Sequence, residues 1–173
     1  MPFAYYAKLS PASQRTYRKS DGMGNLALPD GVAPGAHVVA IRDALTRDDR
    51  AGVQAACQAL AAALTQGYGV PPLRIKVLAQ RPSDESGDLH GLYEPDDENP
   101  PARITLWMRT AALRKVVAFR TFMRTLVHEV CHHLDYELFK LEETFHTEGF
   151  YKRESSLANA LFAAAGEPVN GAR

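Results

Sequence analysis

Cysteine is scarce in this chain: Cys57 and Cys131 are the only two in 173 residues. Both fall in helix-like contexts, so no disulfide framework is indicated, and a reducing, cytoplasmic setting fits best. Charge of one sign is also missing. Lys plus Arg and Asp plus Glu both number 20, so a bulk electrostatic grip on nucleic acid is not implied, while a local basic patch remains open. No apolar run approaches the ~20 residues of a membrane helix, and Met1 to Ser10 lacks the basic start and apolar stretch of a secretory signal. What remains is ordinary globular material, 46% hydrophobic and 23% charged. The length suits one domain plus a short arm, with roughly 70% of the unfolded chain's surface buried on folding.

Residues 1–36 read as that arm, partly irregular, because Pro2, Pro11, Pro29 and Pro34 alternate with Gly22, Gly24, Gly31 and Gly35. Arg15, Arg18 and Lys19 give it a basic stretch, either part of a solvated tail or strap or a weak phosphate contact. Residues 37–173 read as the folded domain. A helical turn is expected near His37 to Ala44. A first clear helix is expected over about Arg47–Gln66, capped by Thr46 with Asp49 and stopped by Gly67. Leu73–Gln80 alternates apolar and charged residues as a half-buried strand does. Leu89–Glu94 reads as a second strand, and Ala102–Arg109 as a third, with Ile104, Leu106 and Met108 on one side and Arg103, Thr105 and Trp107 on the other. A long helix follows from about Ala118 to Phe139, with Phe119, Phe122, Met123, Leu126, Val127, Val130, Leu134 and Leu138 in one stripe. Thr147 caps a last helix, about Glu148–Ala165. The fold class is α+β.

Within the long helix stands His128-Glu129-Val130-Cys131-His132. Six histidines and ten glutamates give a chance expectation of about 0.01 for this His-Glu-x-x-His pattern in the chain. Residues four apart on a helix differ by about 40° in direction and 6 Å in height, so His128 and His132 can offer ring nitrogens to one metal ion. Glu129, about 100° round, is placed to take a proton from water and not to bind the metal. Thr121 and Thr125 share the histidine side, away from the apolar stripe. A third ligand is needed, and His146, Glu148 and Glu154 compete for it, with His146 favoured by its position just before a helix. Asp135 is either a hydrogen-bond partner behind a ligand imidazole or a plain surface aspartate. His133 reads as a packed histidine, Cys131 as a buried thiol, and His90 as structural or exposed. Nothing marks His37.

The segment Leu126–Arg153 resembles the zincin metallopeptidases, and most closely the SprT-like group, through His128, Glu129, His132, His146, Phe150, Lys152 and Arg153. The resemblance implies a zincin-like α+β fold: an N-terminal helix, a three-stranded mixed sheet, the active-site helix and a C-terminal helix. It implies Zn2+ on His128, His132 and His146, with Glu129 as general base in hydrolysis of an extended peptide or protein substrate. It further implies that the strand before the metal helix, Ala102–Arg109, borders the cleft and pairs with that substrate. Tyr93, Tyr151 and Arg153 are candidates for stabilising the oxyanion on chemistry alone. The glycine of the HExxHxxGxxH pattern is absent, since Asp135 stands there, and no Cys-rich zinc ribbon is present. The alternatives are a zinc-containing binding module of the same fold that cuts nothing, and a DNA-associated SprT-like protease using the basic arm.

Overall fold

The computed structural model describes residues 1–84, 87–88, 91–97 and 100–169. It is α+β, with five α-helices and a three-stranded mixed sheet among the described residues. A 3-10 turn, Ala4–Lys8, leads into α1 (Pro11–Asp21), α2 (Gly35–Thr46) and α3 (Arg50–Tyr68). Strands β1 (Leu73–Gln80), β2 (Ser83–Asp84), β3 (Gly87–Asp88), β4 (Gly91–Glu94) and β5 (Ala102–Arg109) follow, then α4 (Phe119–Glu137) and α5 (Glu148–Ala164). β2 and β3 form a separate two-stranded ladder. Of the expected strand Leu89–Glu94, Leu89 and His90 lie outside the described residues. No helix among the described residues is long and apolar enough to cross a membrane.

The sheet order is β1-β5-β4, with β1 parallel and β4 antiparallel to β5. This corrects the expectation that β5 borders the cleft and takes up substrate. Both of its edges are already hydrogen-bonded, and Thr105 and Trp107 are buried as well as Ile104, Leu106 and Met108. The outer edge of β1 is closed by side chains of α3. Gln58 donates to the Leu73 carbonyl at 2.8 Å and accepts from the Ile75 amide at 2.8 Å. The Val77 amide donates to Gln54 at 3.0 Å, and Arg50 donates to the Val77 carbonyl at 3.1 Å. Among the described residues no strand pairs with the outer edge of β4, which packs against α4.

Two helix signals differ from the expectation. Asp49, not Thr46, caps α3, accepting from the Gly52 amide at 3.0 Å, while the Thr46 hydroxyl donates back to the Arg42 carbonyl. α3 also runs through Gly67 and ends in left-handed Gly69, φ 68°. Gly67 is a packing glycine: a Cβ there would stand 2.5 Å from Val32 and 2.8 Å from Pro29.

The segment read as an arm contains α1, whose N-cap Ser10 accepts from the Ser13 amide at 3.1 Å. Its buried face is Thr16, Tyr17 and Ser20, too polar a trio to register as an apolar stripe. Two of its basic residues are engaged within the chain, Arg18 on the Tyr6 hydroxyl and Lys19 on the Phe139 carbonyl. α2 is a full helix where one turn was expected. α4 buries Phe122, Met123, Leu126, Val127, Val130 and Leu134. At roughly 1.5–3 kcal/mol per buried side chain, this stripe fixes which way the opposite face looks.

Candidate metal centre

That opposite face carries His128 and His132, and the chain reversal after α4 brings His146 over them. Thr147 caps α5, accepting from the Phe150 amide at 2.9 Å. The Tyr5 hydroxyl donates to the His146 carbonyl at 3.0 Å. The Nε2 atoms of His128 and His132 are 3.2 Å apart, and those of His132 and His146 3.1 Å. Ligand nitrogens around a tetrahedral ion at 2.0–2.1 Å stand about 3.3–3.4 Å apart, so the three histidines are close enough to hold one metal ion. The buried Phe150 ring packs beneath all three imidazoles, 4.8 Å from His132, 5.1 Å from His128 and 5.2 Å from His146.

The hydrogen-bond partners assign the ring protons. Glu154 Oε1 lies 3.0 Å from His128 Nδ1, and a carboxylate only accepts, so that nitrogen carries the hydrogen. Thr144 Oγ1 lies 2.7 Å from His132 Nδ1. Its one hydroxyl proton goes to Asp135 Oδ2 at 2.8 Å, so His132 Nδ1 must donate to it. In the neutral rings both Nε2 atoms are then bare lone pairs 3.2 Å apart, a donor set that fits a divalent cation taking imidazole nitrogen. Burial, followed by the neighbouring His128 and His146 charges, lowers His132 to about 3. Burial and His128 also lower His146, against the pull of Glu154. At His128, burial pulls down, but the Glu154 hydrogen bond and the Glu154 and Glu129 charges win and raise it.

Glu129 is 7% exposed. Burial pushes its carboxyl above the usual range and Glu154 adds to this, against the opposing effect of His128. None of the described residues hydrogen-bonds its carboxylate. It opens onto a cleft of about 690 Å³, lined by Gly91, Leu92, Tyr93 and Pro95 on the β4 side and by Thr121, Arg124, Thr125 and Tyr136 on the α4 side. Gly91 brings the strand close to the carboxylate. A Cβ there would lie 3.0 Å from Glu129 Cγ and Oε1 and 2.9 Å from Thr125 Cγ2.

The rival third ligands lie elsewhere. Glu154 stands behind His128, on the far ring nitrogen, and Glu148 is at the surface near the N-terminal amine. Arg153 is fully buried and bonded to Asp135 at 2.9 Å, so it is not in the cleft and cannot meet an oxyanion. Tyr93 lines the cleft, but its hydroxyl donates to His133 Nδ1 at 2.9 Å, and His133 Nε2 donates to the Pro71 carbonyl at 2.8 Å. His133 is thus a packed histidine, 1% exposed. Cys131 is a buried free thiol whose ionisation burial pushes up. Thr144 and the hydrogen-bonding part of Glu154 escaped the sequence reading, since both depend on how the loop after α4 folds back. Comparison with known protein families, with curated proteins and with solved structures gives no match.

Proposed function

We propose that the protein is a zinc-dependent metallopeptidase of minimal zincin type, with His128, His132 and His146 as the zinc ligands and Glu129 as general base. One observation carries the reading: three histidine Nε2 atoms converge beside a buried carboxylate that no described residue hydrogen-bonds, at the floor of an open cleft. A zinc ion bound there supplies Lewis acidity for a carbonyl oxygen and acidifies water. Glu129 takes the proton of the attacking water and returns it to the leaving amine, the role for which a raised carboxyl pKa is suited. Glu154 holds the imidazole plane of His128. Phe150 keeps water from beneath the rings.

The substrate in this reading is an extended peptide or protein segment. β4 lines the cleft, and backbone hydrogen bonds to its outer side, unpaired among the described residues, would align the chain over Glu129. The basic residues of α1 are largely occupied within the chain, which favours a peptide substrate over a DNA-directed activity. A cytoplasmic setting belongs to the same reading, on the two buried, unpaired thiols.

The test is zinc content beside turnover of a peptide library, for the parent and for Glu129→Gln. We expect close to one zinc per chain in both and a rate loss of about 10²–10⁴-fold in the variant. A well-folded parent that takes up no zinc refutes the metal site. A zinc-loaded parent that cuts nothing leaves the binding-module alternative. A variant as fast as the parent removes Glu129 from the chemistry.

A further inference from the structure

The His132 imidazole is held through the half-buried Thr144 by a fully buried ion pair, Asp135 and Arg153. Thr144 sits in the loop between α4 and α5. A hydroxyl can rotate, so by itself it orients an imidazole poorly. Here its proton is fixed on Asp135, which is 0% exposed. Asp135 in turn is fixed by Arg153, also 0% exposed. Arg153 uses its other donors on the N-terminal segment: the Ser20 carbonyl at 2.7 Å, the Met23 carbonyl at 2.5 Å and the Ser20 hydroxyl at 3.0 Å. Ser20 closes the circuit through Thr147, 3.1 Å away, which caps α5 directly after His146. The guanidinium thus ties the end of α1 to α4, and the aligned carboxylate leaves Thr144 one acceptor direction, toward His132.

We propose that Thr144 is a positioning residue of the metal centre, clamped by the buried Asp135–Arg153 pair so that His132 is held as the Nδ1–H tautomer with Nε2 free for the ion. The proposal rests on the metal reading above for its affinity consequence, but not for its tautomer consequence. The two histidines of the motif are then held differently: His128 directly by a carboxylate, His132 by a neutral hydroxyl one step removed from one. A hydroxyl demands a fixed partner behind it, which accounts for the burial of an ion pair so close to the site.

The test compares Thr144→Val, close in shape but without the hydroxyl, with Thr144→Ser, which keeps it. Thr144→Ala carries the same comparison if the valine variant does not fold. The first readout is the His132 tautomer in metal-free protein, from nitrogen-15 histidine spectra. The second is zinc affinity by chelator competition. The expected result is the Nδ1–H tautomer in the parent and in Thr144→Ser, with affinities within about threefold of each other. In Thr144→Val that tautomer loses its dominance and zinc binds about 10–100-fold more weakly. An Nε2–H tautomer at His132 in the parent overturns the proposal. So does a Thr144→Val or Thr144→Ala protein with parental tautomer and affinity, or a serine variant as damaged as the valine one. A parent that binds no zinc defeats the proposed function, while the tautomer readout still decides this one.

Discussion

Substituting Gly91 by alanine tests the site at its tightest point. Gly91 has no left-handed backbone to preserve, so the change is purely one of space. The new Cβ would stand 2.9 Å from Thr125 Cγ2 and 3.0 Å from Glu129 Cγ and Oε1, where ordinary contact begins at 3.4 Å. The neighbours must therefore give by about 0.4–0.5 Å. Thr125 is tied to its own helix by a hydrogen bond to the Thr121 carbonyl at 3.0 Å, whereas the Glu129 carboxylate has no such tether among the described residues. Glu129 is the group that moves. A misplacement of 1 Å at a reacting group costs about 10²-fold, so half that shift should lower kcat by about 10-fold. Zinc content should stay near the parent's, since no ligand is touched. Global stability should change by less than about 1 kcal/mol, as the entropic gain of replacing glycine offsets part of the contact strain. The assay is peptide turnover at matched zinc content, with Thr125→Ser added to remove the crowding methyl and return part of the rate. Parental turnover in Gly91→Ala would refute the reasoning, because the strand would then not set the position of the base.

Three further expectations follow from the structure. His146→Ala should weaken zinc binding far more than Glu154→Gln, because the first deletes a ligand and the second only the partner of His128, worth about 10–100-fold; the reverse order in a chelator titration would make Glu154 the ligand. Arg153→Ala should cost about 3–5 kcal/mol in urea unfolding, since it strands the buried Asp135 and unpairs the Ser20 and Met23 carbonyls; a loss under about 1 kcal/mol would mean that water replaces the guanidinium. Gln58→Leu should cost about 1–3 kcal/mol by freeing the Leu73 carbonyl and Ile75 amide at the edge of β1, and parental stability would show those bonds to be dispensable.

Where a pattern is local, it was legible. The alternation of Leu73, Ile75 and Val77 against Arg74 and Lys76 gave β1 its bounds, and the apolar stripe from Phe122 to Leu134 gave α4. The four-residue spacing of His128 and His132 requires their rings to share a face, and they do. Where the information is long-range, it was not legible. Nothing in Ala102–Arg109 distinguishes a central strand from an edge, because Thr105 and Trp107 are as compatible with a covered face as with an open one. α1 was hidden because it docks through Tyr17, Thr16 and Ser20 and not through an aliphatic stripe. Asp135 could be read equally as a surface residue or as a partner of the ligands. Only the meeting of residues 20, 135, 144 and 153 places it at the centre of a network.

The Arg153 clamp also bears on when the site can come into being. Its acceptors at Ser20 and Met23 leave the ribosome before the guanidinium that joins them to Asp135, which comes 133 and 130 residues later. A growing chain holds His128 and His132 before it holds Thr144, His146, Phe150 or Arg153. The nascent protein therefore carries two of the three clustered histidines with neither the third nor its ring floor, and the last helix must emerge and close back on the first before the rings are held. Contacts so distant along the chain carry a large loop-closure cost before they form. Assembly of the three-histidine cluster thus follows completion of the fold, and a chain stalled before α5 is a chain without it.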